Sequence, residues 1–407
     1  MRTSLPASWG VMRASRALVA TVSLTTMVGC PIVVPLRTSE ERAQVAQHEA
    51  TRGDGLTELL QLARTGRVDE QRRLAIRGLG RVGGDTARDA LLDLMTVEQA
   101  VFRREAAAAL GVWATFAYAP SDTGDYDRRI GDAMLKVAAS FGSDRPVLWA
   151  ALGRAGSRHQ QDALAAATQT GTGPEQVAAA TALGRYARRS IGWSAAAHAA
   201  LVEASGRDDL ALRRAATWSL GRAIAPTQGS VDPALATALR ERLRDDDAIV
   251  RAHAIAGVER LKIALEDWPL TRLMADPDWR VATAAMRIAL TTPDGSLPTE
   301  ARMTAATDEL HRRIDRVEKA GRSPDMHVAL EGLRIMRAYA RDVSVHASLA
   351  YWEKQAKEAK NGPPIFWQWV DCLSVAAMTR AYSAPIEGVA KFECGGTNLG
   401  YSPTAPQ

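Results

Sequence analysis

Apolar side chains recur along most of this chain at the three- and four-residue spacing of a buried helix face. The helical segments share one phrase, in which an arginine or similar residue and a run rich in alanine lead to Leu-Gly, often followed by Arg. In segment 247–261, Val250, Ala254, Val258 and Leu261 follow this spacing, which is typical of an amphipathic helix. The Leu-Gly glycines of the five copies are Gly80, Gly111, Gly153, Gly184 and Gly221.

These glycines lie 31, 42, 31 and 37 residues apart, and such a period predicts stacked helical hairpins. Asp69, Asp209 and Asp247 each stand four residues before an arginine and are expected to cap the helix amino termini. The small alanines and glycines allow neighbouring helices to approach closely. A second set of helices is predicted at 86–95, 128–140, 160–169, 194–204, 232–243 and 266–275.

The Asp-x-x-x-Arg starts and the Ala-rich Leu-Gly-Arg endings resemble the HEAT family, including the bacterial HEAT-like repeats of phycobilisome lyases. The resemblance covers about residues 55–290. It implies an all-α fold, a right-handed α-α superhelix, and a binding scaffold more often than lyase chemistry. We therefore predict a HEAT-like repeat solenoid over 51–345, followed by an atypical capping element and tail over 346–407.

The amino terminus has the features of an export signal. Residues 1–29 combine a basic start with an apolar core that is too short to span a membrane comfortably. The segment ends in Met27-Val28-Gly29-Cys30, which resembles the lipobox of bacterial lipoproteins. The resemblance implies cleavage before Cys30, lipidation of this cysteine, and a tether over 30–50. An ordinary cleaved signal and an uncleaved anchor, with Cys30 incidental, are the alternatives.

The charge balance argues against nucleic acid as a partner, and a local basic patch is the alternative. The chain has 51 Lys and Arg against 46 Asp and Glu, which gives a formal net charge of +5. Three of the bases, Arg2, Arg13 and Arg16, lie in residues 1–29, where there is no acid. The remainder is nearly balanced, whereas nucleic acid requires a clustered basic face. No nucleic-acid partner is therefore predicted.

No arrangement of residues indicates catalysis, a metal or a cofactor. The seven histidines are not paired at metal-ligand spacing, and Cys-x-x-Cys does not occur. The run Asp245-Asp246-Asp247 lacks the EF-hand spacing, which favours a turn with a helix cap over a calcium site. The sequence therefore predicts a protein that is not an enzyme and that uses neither a metal nor a cofactor.

Two further cysteines, Cys372 and Cys394, lie in the predicted capping element. In an oxidising compartment, an even pair at this separation favours a disulfide. The alternative is two unpaired thiols. Catalysis by either cysteine is not expected, because no histidine follows them and His346 is the nearest one before them.

Four arginines recur at the Leu-Gly-Arg position and are the candidate binding residues. One interpretation is a row that binds carboxylates or phosphates of a partner. The other is a structural ladder, in which each arginine holds carbonyl groups or acids of a neighbouring repeat. Tryptophans dispersed along the array are expected to fill the core, and any exposed one is a candidate contact for a partner. The four arginines are Arg81, Arg154, Arg185 and Arg222.

Together these features predict a lipid-anchored scaffold on the periplasmic side or the surface of a bacterial envelope. It would bind a protein partner along its concave face. Position 31 is Pro and not Asp, which favours the outer membrane as the location. One alternative is a lyase-like accessory protein that binds a small molecule, which requires a deep apolar pocket. The other is a purely structural spacer, which requires no binding surface.

Overall fold

The computed structural model describes residues 36–340, apart from 98, 118–127, 227–229, 292–297 and 321–324. Within these ranges the chain forms α-helices and short 3-10 helices, and there is no β-strand. The helices are α1 (Leu36–Ala50), α2 (Leu56–Thr65), α3 (Asp69–Val82), α4 (Gly84–Leu94), α5 (Ala100–Ala117), α6 (Arg128–Val137), α7 (Arg145–Ala155), α8 (Gln161–Thr170), α9 (Gly173–Arg188), α10 (Ala195–Ser205), α11 (Leu210–Leu220), α12 (Pro233–Arg242), α13 (Ala248–Arg260), α14 (Asp267–Met274), α15 (Trp279–Leu290), α16 (Glu300–Ala320) and α17 (Asp325–Ala340).

The helices form two layers that alternate along the chain. Each odd-numbered helix from α1 to α17 packs against the next odd-numbered one, and the Leu-Gly phrases lie in these helices. We call them the Leu-Gly layer. The even-numbered helices form the outer layer and contact one another less extensively. The structure therefore confirms the all-α solenoid that the repeats predict.

The glycine of each Leu-Gly phrase faces the next helix of its layer. A methyl group on Gly153 would lie 2.6 Å from Cα of Ala182, and one on Gly80 would lie 2.5 Å from the carbonyl oxygen of Ala109. Carbon atoms in contact are normally about 3.5–4.0 Å apart. Backbones can approach this closely only where a side chain is missing. The helices of the Leu-Gly layer therefore approach one another more closely than those of the outer layer.

Aspartates cap the amino termini of several helices in the Leu-Gly layer. The predicted cap is present at two of the three positions. Asp209 accepts a hydrogen bond from the Leu212 amide at 2.7 Å, and Asp247 accepts one from the Val250 amide at 3.0 Å. The prediction is wrong for Asp69, which is already the first residue of α3 and makes no cap. Its carboxylate remains in the first turn, where the helix dipole favours negative charge.

Arginines near these helix starts connect each repeat to the next. Arg214 donates from Nε and Nη2 to the two carboxylate oxygens of Asp247, at 2.9 and 2.6 Å. Arg251 holds Asp276 in the same bidentate way, at 2.7 and 3.0 Å. The carboxylate of Asp276 is 8% exposed and the Arg251 side chain 15%. Asp247 therefore serves two purposes, since it caps its own helix and anchors the preceding repeat.

The tryptophans divide between core and surface. Trp113 and Trp149 are buried, as predicted for residues that fill the core. Trp193 and Trp218 are half-buried. Trp279 is 40% exposed and its ring centroid lies 5.1 Å from that of His327. Trp279 is therefore one of the exposed aromatic side chains that qualify as a partner contact.

Several predicted features fall outside the described residues and stay predictions. These are residues 1–29, Cys30, the Cys372–Cys394 disulfide and the capping element 346–407. Helix α1 covers most of the segment that was predicted as a tether, and it packs against α3, with Val45 buried. The contacts with the repeats therefore begin before residue 51. No helix within the described ranges is both long and apolar enough for a membrane crossing.

Candidate binding site on the Leu-Gly layer

The four predicted arginines all lie at the carboxyl ends of helices in the Leu-Gly layer. Arg81 lies in α3, Arg154 in α7 and Arg185 in α9, and Arg222 directly follows Gly221 at the end of α11. Helices α7, α9 and α11 pack against one another in this order. The structure therefore brings three of the four arginines to one edge of three successive repeats. Arg81 is separated from them by α5.

Arg81 has a structural role. Its Nε donates to Oε2 of Glu49 at 2.9 Å, and its Nη2 donates to Oε1 of the same residue. Glu49 belongs to α1, so this ion pair fastens the first described helix to the array. For Arg81 the interpretation as a structural ladder is therefore the better one.

Arg185 is half-buried, and the described residues provide acceptors for only some of the hydrogen-bond donors of its guanidinium group. Its Nη1 donates to the carbonyl oxygen of Ala150 in the preceding repeat, at 2.8 Å. Burial lowers the pKa of Arg185 to about 10, and the positive charges of Arg154 and Arg188 contribute to this effect. Like charges therefore lie close to Arg185, and no carboxylate contributes to its pKa.

Arg222 lies over an aromatic ring. Its guanidinium carbon is 4.4 Å from the ring centroid of Trp218, within the range of a cation–π interaction. Its buried Nε has no hydrogen-bond partner among the described residues. Burial lowers the pKa of Arg222, and the charge of Arg188 lowers it further. The Trp218 ring also covers the backbone of Gly184, where a methyl group would lie 2.4 Å from the ring.

Arg188 was not predicted, because it does not belong to a Leu-Gly-Arg phrase. It is exposed at the end of α9, one turn after Arg185. Residues three apart on a helix share a face, and this spacing was the available signal. Beyond the effect of burial, the positive charge of Arg188 lowers the pKa of both Arg185 and Arg222. We refer to Arg154, Arg185, Arg188 and Arg222 as the arginine cluster.

The arginine cluster differs from the neighbouring arginines in its hydrogen-bond partners. Arg260 donates to the carbonyl oxygens of Gly221 and Ala223, the latter at 2.8 Å. Arg189 donates to the carbonyl oxygen of Gly156 at 2.6 Å. Both arginines thus neutralise the carboxyl end of the preceding helix in the layer, where the helix dipole favours positive charge. By contrast, Arg154 and Arg188 form no hydrogen bond or ion pair with any other described residue.

Other potential sites have less specific geometry. In the described part of the chain, no group of three or more His, Cys, Asp or Glu side chains is placed to hold a metal ion. A cleft of about 570 Å³ lies in the outer layer between α12 and α14. Its lining includes three guanidinium groups, from Arg240, Arg244 and Arg272. It is a mixed surface cleft and not the deep apolar pocket that a small-molecule carrier requires.

Comparisons with known proteins find similarity to solved structures. No protein-family model matches the chain, and no curated protein is similar to it. One solved structure that resembles it is the archaeal HEAT-like repeats protein from Thermococcus onnurineus NA1, at 13% identity and a TM-score of 0.31. The alignment covers 80% of this chain and 98% of that chain. At this TM-score, the fold assignment rests on the helices and their contacts alone.

Proposed function

We propose that this protein is a lipid-anchored scaffold of the bacterial cell envelope, which holds a protein partner on its concave Leu-Gly layer. The observation that supports this most is the arginine cluster, which spans three successive repeats of one preformed surface. Rigid solenoids bind partners over such extended surfaces without catalytic machinery. In this proposal the protein is not an enzyme, and its work is to position another chain.

The anchor is supported by the amino-terminal sequence. The apolar core of residues 1–29 ends at Cys30, and the next cysteine along the chain is Cys372. Several acyl chains on one cysteine suffice for stable membrane attachment. Pro31 at the following position supports the outer membrane as the location. Globomycin, which blocks cleavage of lipoprotein signals, should make the protein accumulate at higher mass, and Cys30→Ser, which removes the thiol that is lipidated before cleavage, should leave it at the same higher mass. Unchanged mobility would remove the anchor from the proposal.

The small-molecule carrier is less well supported. It needs a pocket that encloses most of a ligand's surface, whereas the cleft between α12 and α14 is an open one with a charged lining. A purely structural spacer gives no reason to concentrate unpaired guanidinium groups on one surface. The scaffold accounts for the arginine cluster, and we therefore prefer it.

Site-specific photo-crosslinking tests which surface holds the partner. Ala178 lies on α9, seven residues before Arg185 and thus on the same helix face, and it is half-buried. Ala166 is exposed on α8 in the outer layer and is the matched control. A photoreactive phenylalanine at position 178 should yield a discrete crosslinked species in cells that produce the protein, and one at 166 should not. Equal products from both positions, or none from 178, would refute a partner on the Leu-Gly layer.

A further inference from the structure

We infer that the arginine cluster binds an extended acidic segment of the partner protein, with about one carboxylate for each repeat. This inference rests on the scaffold function proposed above and names the chemistry of the partner. It follows from the charge, the spacing and the position of Arg154, Arg185, Arg188 and Arg222.

The positive charge of the cluster favours a negatively charged ligand. Elsewhere in the Leu-Gly layer, arginines bind carboxylates of the preceding repeat, as Arg81 binds Glu49 and Arg287 binds Glu259 at 2.6 Å. No carboxylate among the described residues forms an ion pair with Arg185 or Arg222 in the middle of the array. Unneutralised guanidinium groups held together repel one another. Carboxylates, which guanidinium binds through two parallel hydrogen bonds, would relieve that repulsion.

The spacing indicates an extended peptide. Arg154 lies in α7, Arg185 in α9 and Arg222 just after α11, and these three helices are consecutive in the Leu-Gly layer. Packed helices lie about 8–10 Å apart, and an extended polyproline II segment advances about 3.1 Å per residue with three residues per turn, so that every third side chain lies on the same face. About three residues of a partner segment therefore span each repeat. Acidic residues at every third position would match the three helices in turn.

The position of the cluster disfavours a membrane or a nucleic acid as the occupant. The cluster lies at one edge of three repeats in an array that continues on both sides, so a flat bilayer would meet the neighbouring repeats as well as the cluster. A nucleic acid requires a longer basic surface, but Arg213 and Arg214 near the start of α11 and Arg251 in the following repeat are already paired with Asp245, Asp247 and Asp276. An acidic peptide is narrow enough to contact the cluster alone, and it does not need a longer basic surface.

Trp218 provides a reporter within the site. It is half-buried, with the Arg222 guanidinium 4.4 Å from its ring centroid. A carboxylate that binds Arg222 alters the charge directly above this ring. Binding of an unlabelled acidic peptide should therefore change the tryptophan fluorescence of the full chain, and Trp218→Phe should remove that change.

The test measures binding of two labelled peptides to the full chain in detergent by fluorescence anisotropy. Both peptides carry three Asp residues in a Gly-Ser background. In one the acids occupy every third position, and in the other they are adjacent. The spaced peptide should bind at least about threefold more tightly, because only it matches successive repeats. Equal affinity for the two isomers would overturn the predicted spacing.

Charge reversal tests the site itself. Arg185→Glu together with Arg188→Glu should weaken binding of the spaced peptide at least about tenfold, since both charge-assisted contacts become repulsive. Arg64→Glu with Arg128→Glu makes the same change in net charge at exposed positions of the outer layer, and it should leave binding nearly unchanged. Arg188→Glu alone, at an exposed position, gives a milder variant whose fold is checked by circular dichroism. An equal loss in the outer-layer control would overturn the inference.

Two further probes distinguish the other occupants. If a single-stranded oligonucleotide or phosphatidylglycerol vesicles bind through Arg185 and Arg188 while the spaced peptide does not, the acidic-peptide inference is wrong. A different result would refute the scaffold proposal. Crosslinking from position 178 without peptide binding would retain the scaffold and refute its acidic partner, whereas absence of crosslinking at 178 would refute the scaffold.

Discussion

The close approach of helices in the Leu-Gly layer predicts that Gly153→Ala destabilises the protein. The added methyl group would lie 2.6 Å from Cα, 2.7 Å from Cβ and 3.2 Å from the carbonyl oxygen of Ala182. Two of these neighbours are backbone atoms of α9, which cannot rotate away as a side chain would. Helices α7 and α9 would therefore have to separate by about 1 Å to restore normal carbon–carbon contacts.

The magnitude follows from two opposing effects. Replacing glycine by alanine within a helix stabilises it by about 1 kcal/mol. Overpacking a well-packed interface costs about 1–3 kcal/mol, and a rigid backbone contact places Gly153 at the upper end of that range. We expect a net loss of about 2 kcal/mol in the free energy of unfolding, or a melting temperature lower by about 2–3 °C.

The measurement is thermal and urea unfolding followed by circular dichroism. Gly173→Ala is the matched control, because Gly173 is also helical and no atom lies within 4 Å of its added methyl group. This variant should be as stable as the parent or slightly more stable. Gly111→Ala, with its closest contact at 3.2 Å, should fall between the two. A Gly153→Ala protein as stable as the parent would refute the close approach of α7 and α9.

Two further predictions concern the links between repeats. Asp276→Ala should lower the free energy of unfolding in urea by about 3 kcal/mol, because the buried Arg251 then lacks the carboxylate that neutralises it. Asp93→Ala, which removes a long and exposed pair with Arg64, should change stability by less than about 0.5 kcal/mol, and equal losses would contradict this view. The hydrogen bond from Arg214, ahead of the opposing effect of burial, holds the pKa of Asp247 at about 2, below its ordinary 3.8. The unfolded chain therefore takes up the proton first, so this stabilisation is complete above about pH 4 and is lost as the pH falls from 3.8 towards 2. Asp247→Asn should flatten the decline in melting temperature over this interval, and an unchanged slope would show that Asp247 does not cause it.

The repeats themselves were predictable because their signals are local. The Leu-Gly glycines and the periodic apolar residues are close in sequence, so the helices and their stacking followed from the pattern of residues such as Val250, Ala254 and Val258. The caps at Asp209 and Asp247 were predictable for the same reason. The cap at Asp69 failed because the helix begins one residue earlier than the motif suggests.

The binding site was only partly predictable. The common Leu-Gly-Arg position grouped Arg81 with Arg154, Arg185 and Arg222, but their surroundings differ. Arg81 meets Glu49, 32 residues earlier in the chain, and no local pattern indicates that pairing. Arg188 was missed, because its membership of the cluster depends on the neighbouring repeat, through its effect on Arg222.

The sequence by itself determined that this chain is a stack of helical hairpins, because helix periodicity and close helix packing are encoded in residues a few positions apart. It also placed the candidate lipid anchor at Cys30. Only the tertiary structure decided which arginines are neutralised by the protein and which are left for a partner. That difference depends on which groups of adjacent repeats face one another across the stack, about 25 to 39 residues apart in the chain.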